Sequence, residues 1–265
     1  MVLAGVAVAV VAAGAARAEP EAVSVYAAGS LRGAFTAIGK AFEAEHPGVA
    51  VRFDFGPSGV LKDRLLATPG GGVFASANLE HPEALARAGR AGPVRPFARN
   101  VMCALVRPGI DVTSATLVEC MLDPGIKLGT STPKADPSGD YAWELFERVE
   151  RSGVPGARAR LEAKALQLTG GPASPPADAA GRSVYTVLVA GGQADLFLTY
   201  CTNAAQAARE EPSLRVVAVP ATLQVGAQYG VTVLAGSEPS AQVFVDFLLG
   251  PRGQALLAAQ GFGPP

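Results

Sequence analysis

Strand-like and helix-like patterns alternate along almost the whole chain, and this alternation constrains the fold more than any other feature. Val49, Val51, Phe53 and Phe55 alternate with Ala50, Arg52 and Asp54, the period-two signature of a half-buried strand. Ahead of them Leu31, Ala34, Phe35, Ile38 and Phe42 recur at helical spacing, and the run closes at His46-Pro47-Gly48. Strands are also expected over 23–26 and 73–77, with a short helix after Ser58 and another opening at Pro82. From 101 the alternation resumes: a strand over 101–106, a helix over 113–122, a strand over 126–129 and a helix over 140–152. A helix from 183, strands over 196–199, 215–219 and 229–234, and two terminal helices complete the series. Strands separated by helices in this way imply an α/β fold. The segment 169–181, TGGPASPPADAAG, is too rich in Pro, Gly and Ala for a regular element and reads as a surface loop.

Composition narrows the function. Charged residues make up 17% of the 265, against about 25% in an average globular chain. The 22 Lys+Arg nearly balance the 23 Asp+Glu, so no basic excess points to nucleic acid. Two His and three Cys supply neither a His-rich metal site nor a four-cysteine zinc site. Residues 2–16 are uninterrupted apolar and small residues, and Ala16-Arg17-Ala18 precedes Glu19 in an A-x-A pattern. Residues 1–18 therefore read as a secretory signal peptide, although no Lys or Arg precedes the run. The run is shorter than the roughly 20 residues a spanning helix needs, so an exported, soluble mature chain is expected. In an exported chain, Cys103, Cys120 and Cys201 leave at least one sulfur unpaired unless a second chain supplies a partner. A Cys103–Cys120 bridge is a pairing the sequence permits, and Cys201 is expected as a buried structural thiol.

Four strand-to-helix junctions carry small and hydroxyl residues: Ala27-Ala28-Gly29-Ser30, Gly56-Pro57-Ser58-Gly59, Asp136-Pro137-Ser138-Gly139 and Gly181-Arg182-Ser183-Val184. Each places a Ser at an expected helix start, where backbone N–H groups lack intrahelical partners and the helix end favours anions. Serine is also a favoured N-cap, which explains any one of these junctions without a ligand. Four together gain meaning only if they converge, and open α/β sheets do bind ligands beyond the carboxyl ends of their strands.

These residues resemble the periplasmic molybdate/tungstate-binding proteins of ABC transporters, a type II periplasmic-binding-protein family. Ala27-Ala28-Gly29-Ser30-Leu31 is close to the family's AAASL opening, and Phe55-Gly56-Pro57-Ser58-Gly59 is similar to its F-x-x-S segment. Phe74-Ala75-Ser76-Ala77 resembles its F-[AI]-S-A strand, with Gly72 where the family has Asp before Val73. Asp136-Pro137-Ser138-Gly139-Asp140-Tyr141-Ala142 resembles P-A-G-x-Y-A, Leu198-Thr199-Tyr200 resembles I-V-Y, and the ending from Phe244 to Gly261 resembles the family tail. The likeness covers nearly all of 22–262.

The resemblance implies a two-lobed α/β fold, each lobe a central sheet flanked by helices, with the ligand in the inter-lobe cleft. Lobe 1 is expected over 19–99 and 215–265 and lobe 2 over 100–214, with hinge crossings near Asn100 and Arg215. Carried over by position, Ser30 and Ser58 offer a hydroxyl and an N–H each, Ser138 and Val184 an N–H, and Tyr200 its phenol. Ser183, Gly59 and Gly29 are further candidates. The expected partners are molybdate or tungstate and an inner-membrane ABC-transporter permease, for a periplasmic monomer without catalytic residues, cofactor or protein-coordinated metal ion. Fully ionised molybdate only accepts hydrogen bonds, so neutral hydroxyl and N–H donors suit it. Two departures bear on the ligand. Ser138 stands where the family often has Ala, and Asp136 and Asp140 flank it; an inward carboxylate there repels molybdate but accepts a proton from hydrogen phosphate. The alternatives are another anion such as phosphate, sulfate or a small organic anion, or ferric iron with Tyr185 and Tyr200 as candidate ligands. A Cys201-dependent enzyme would need a nearby base, and His46 and His81 both sit at turns beside helix ends.

Overall fold

The computed structural model describes residues 21–171, 174–175, 178 and 180–265; the expected signal segment lies outside them. In chain order the elements are β1 (Glu21–Ala28), α1 (Arg32–Glu45), β2 (Val49–Gly56), α2 (Ser58–Ala67), β3 (Val73–Ser76), α3 (Glu80–Arg87), β4 (Arg95–Val106), α4 (Leu117–Leu122), β5 (Leu128–Ser131) and α5 (Pro137–Arg151). They continue with α6 (Ala157–Lys164), β6 (Leu166–Thr169), α7 (Val184–Ala190), β7 (Leu196–Tyr200), α8 (Cys201–Glu210), β8 (Arg215–Ala218), β9 (Gly226–Val233), α9 (Pro239–Leu249) and α10 (Pro251–Ala259). A single 3₁₀ turn, Gly29–Leu31, joins β1 to α1.

The strands follow the order β2-β1-β3-β9-β4-β7-β5-β6, with β8 added against β4. The long β4 belongs to both halves of this sheet. Its first part, from Arg95 to Val101, pairs with β9, and its second part, from Met102 to Val106, is flanked by β7 and β8. Each half is covered by helices whose apolar faces match their periodicity. Phe35, Ile38 and Phe42 of α1 are fully buried, and the Phe42 ring meets Phe244 of α9 edge-on at 5.3 Å. In the other half Leu145, Phe146 and Val149 of α5 are fully buried. The architecture is the two-lobed α/β form expected from the sequence.

The cysteine expectations are corrected. Cys103 bonds to Cys201, and Cys120 is the free cysteine. Sheet register is the reason: antiparallel pairing sets Cys103 opposite Thr199, two residues before Cys201, and brings the two cysteine Cα atoms to 4.8 Å. Cys201 is therefore half of a disulfide and not a thiol.

Register also builds the site. In the parallel β1–β2 pair Ala28 stands opposite Gly56, so the 29–31 turn and the start of α2 leave the sheet side by side. Parallel pairing of β3 with β1 brings Ala77 to the same edge. In the second half β5 and β7 run parallel, so their carboxyl ends, Ser131 and Tyr200, share an edge.

Candidate functional site

These carboxyl ends enclose a cavity of about 400 Å³. From the first half Gly29, Ser30, Phe55, Pro57, Ser58 and Ala77 line it; from the second, Asp136, Gly170, Ser183, Val184, Tyr185 and Tyr200 do. Six of the eight expected site residues thus meet on one cavity: Ser30, Ser58, Val184, Tyr200, Ser183 and Gly29.

Their hydrogen bonds decide what each can offer. Ser58 Oγ, on a residue 1% exposed, accepts from the Ala77 N–H at 3.1 Å, which leaves the hydroxyl proton to be donated elsewhere. Ser30 Oγ lies 2.9 Å from Tyr229 Oη, so a phenol donating to Ser30 likewise turns the serine proton outward. The Tyr200 hydroxyl is buried and has no partner among the described residues. Burial pushes its pKa well above the usual phenol range, so Tyr200 remains a donor throughout the neutral range. Val184 opens α7 and carries one of the first-turn N–H groups that a helix cannot satisfy internally. Ser183 caps α7: its Oγ accepts from the Tyr185 N–H at 3.3 Å, and its own N–H donates to Glu210 at 2.8 Å.

Ser138 and Gly59 are not among the residues lining the cavity. The Ser138 N–H donates to the Asp136 carboxylate at 3.1 Å as part of the α5 cap, and Ser138 Oγ is buried without a partner among the described residues. The Gly59 N–H donates across the cleft to the Ala135 carbonyl at 3.0 Å. Only glycine permits that approach, because a Cβ at position 59 would stand 2.3 Å from the Lys134 carbonyl oxygen. Tyr141 Oη, donating to the Ala77 carbonyl at 3.4 Å, is a second contact between the halves.

Sequence reasoning missed Tyr229. It sits on β9, 199 positions beyond Ser30, and reads there as one more apolar strand residue. Two arginines line the cavity: Arg32 stacks over the Phe55 ring at 4.5 Å and has no ion-pair partner among the described residues, and Arg182 pairs with Asp178 at 2.7 Å. The His46 ring nitrogen Nδ1 lies 2.9 Å from the Phe42 carbonyl oxygen at the end of α1, and His81 is buried in the first turn of α3; neither lines the cavity.

The sequence profile of the family described as bacterial extracellular solute-binding protein matches residues 23–263. An uncharacterized protein of Pasteurella multocida is 35% identical over 245 residues, covering 91% of this chain and 98% of the relative. The molybdate-binding protein ModA of Mycobacterium bovis is 29% identical over 257 residues, covering 92% and 85%. Among solved structures, the periplasmic molybdate-binding protein of Azotobacter vinelandii superposes with a TM-score of 0.73 at 21% identity, covering 92% and 99%. The sulfate-binding protein SubI of Mycobacterium tuberculosis gives the same TM-score at 19% identity, covering 92% and 87%. At those identities the two structures speak for the fold alone.

Proposed function

The chain belongs to the bacterial extracellular solute-binding proteins, and we propose that within that family it captures a tetrahedral oxyanion, molybdate or tungstate, and presents it to an ABC-transporter permease. As a solute-binding protein it is not an enzyme, and the disulfide at Cys201 removes the thiol nucleophile that catalysis there would use. Residues 1–18 act as a signal peptide in this reading, the mature chain works in the periplasm as a monomer, and among the described residues no helix is long and apolar enough to cross a membrane.

The observation that carries the ligand reading is the buried, unpartnered hydroxyl of Tyr200 on the wall of the cleft. An unsatisfied buried donor costs free energy in the empty protein, and a bound acceptor removes that cost. With Ser30, Ser58 and the Val184 N–H it forms a set of neutral donors suited to an anion that only accepts. Hydrogen bonds to a charged group contribute about 1.5–3 kcal/mol each, so a few of them, less ordering costs, give tight binding. Ser138 and Gly59 leave this set because their N–H groups are already committed.

We place the lobe boundary within β4, between its β9-paired and β7-paired parts, near Asn100. The return crossing falls after β8, which pairs with the second part of β4, and so beyond the expected position at Arg215. Closure about these crossings follows the hinge motion of binding proteins.

The cavity volume favours a second reading. At about 400 Å³, with Phe55, Pro57 and Tyr185 on its walls, it has the size of an organic-ligand pocket. A small organic anion, its oxyanion head on the same donors, is the alternative. Titration calorimetry with molybdate, tungstate, sulfate, phosphate and a phosphomonoester separates the two. The first reading expects the strongest binding with molybdate and tungstate; binding of the phosphomonoester alone replaces it with the second.

A further inference from the structure

One carboxylate in the cleft does not serve the molybdate reading as it stands. Asp136 lines the cavity together with Ser58, Ser183 and Tyr200, yet like charge repels an anion. The other carboxylate on the wall, Asp178, is neutralised by Arg182 at 2.7 Å; Asp136 forms no ion pair among the described residues. What it has instead is a fixed seat. One oxygen accepts the Ser138 N–H at 3.1 Å, and Gly170 leaves it room, since a Cβ at 170 would stand 2.5 Å from the Asp136 Cβ.

We propose that Asp136 couples ligand capture to a proton: a dianion that carries no proton of its own binds with uptake of one proton by Asp136. This rests on the oxyanion reading above. The proton comes from solvent and ends on a carboxyl oxygen of Asp136, and no other bond changes. The neutral carboxyl no longer repels the ligand and becomes one more donor beside it.

The surroundings favour this. The titratable and charged groups facing Asp136 are Asp140 on its own helix, Tyr185 on α7, Tyr200 on β7 and Tyr229 on β9. The three phenols are held neutral by burial, Tyr185 being pushed up to about 12, and Asp140 repels a second negative charge. Removal from bulk water pushes the Asp136 carboxyl up to about 6, against the hydrogen bond from the Ser138 N–H that pulls it down. In the free protein Asp136 is therefore mostly ionised above pH 6 but within easy reach of protonation, and a nearby dianion raises its proton affinity further.

The test uses the mature protein with sodium molybdate, and with sodium sulfate as a second proton-free dianion. Calorimetric titration near pH 7.5 in two buffers of different ionisation enthalpy counts the protons taken up; close to one per bound ion is expected. Affinity should fall about tenfold per pH unit above pH 6 in the wild type. In Asp136→Asn it should be flat over the same range and stronger than wild type near pH 8. Asn is as good an N-cap as Asp, so α5 keeps its start. Binding without proton uptake in the wild type overturns this inference alone, whether or not the variant folds. Failure of both ions to bind near pH 6 rejects the oxyanion reading and the proton coupling together.

Discussion

The hydroxyl of Ser30 lies 2.9 Å from the phenol oxygen of Tyr229, a residue 199 positions further along the chain. The contact ties the first strand-to-helix junction to β9, the strand that brings the chain back beside β3. Asn100 Nδ2 reaches the same phenol at 3.5 Å and Thr202 Oγ1 at 2.8 Å. The network therefore runs from the cleft to the middle of β4, the strand shared by the two halves. Tyr229 does not line the cavity, but it stands behind Ser30, which does.

Tyr229→Phe should accordingly weaken anion binding by about 1 kcal/mol, roughly fivefold in affinity. Packing of the ring against Phe97 at 6.0 Å and Phe262 at 5.5 Å survives the change, so thermal stability should move little. Calorimetric titration beside a melting curve checks both; equal affinity in the two proteins would show that Ser30 needs no such support.

Gly59→Ala tests closure. The added methyl meets the Lys134 carbonyl oxygen at 2.3 Å and the Ala135 carbonyl oxygen at 2.8 Å, so the two halves cannot approach as they do here. Alanine is a better helix former than glycine, so α2 keeps its start. The expected result is a folded protein, more open in solution scattering, whose affinity is lower by at least about tenfold, or 1.4 kcal/mol. Unchanged affinity would mean that the 3.0 Å bond from Gly59 to Ala135 takes no part in holding the ligand.

The Cys103–Cys201 bridge spans a sequence separation of 98 residues and joins β4 to the start of α8 beside Tyr200. Cys201→Ser should cost about 2–5 kcal/mol of stability. Thermal melts under oxidising conditions check this, with wild type plus reductant moving the same way and Cys120→Ser moving little. An unchanged melting temperature in Cys201→Ser would show that the bridge does not form in the protein in solution.

Much of this architecture was legible because the local signals agreed with one another. The alternation of Val49, Val51, Phe53 and Phe55 became β2, and the stripe from Ala34 to Phe42 became the inner face of α1, with Leu31 buried in the turn before it. Where local signals were thin, the sequence was silent. In α6 only Ala157 and Leu161 are buried, which leaves no stripe to read, and β6 is four residues long. The first part of β4 was missed because Pro96 lies inside it, accommodated where the register against β9 shifts between Pro96 and Ala98. Ser30, Ser58 and Ser183, singled out by junction chemistry, line the cavity. That chemistry did not reveal that the N–H groups of Ser138 and Gly59 were already spent, nor that Tyr229 stood behind Ser30. Those facts depend on contacts between distant segments, as does the pairing of Cys103 with Cys201.

Tyr200→Phe separates a ligand-binding role from a structural one most sharply. The hydroxyl satisfies nothing among the described residues of the empty protein, so its removal should leave the melting temperature unchanged or raise it. If the donors converge on an oxyanion, the same change should lower molybdate affinity by about ten- to a hundredfold, or 1.4–3 kcal/mol, measured by calorimetric titration. Molybdate binding to Tyr200→Phe as tight as to the wild type would contradict that convergence.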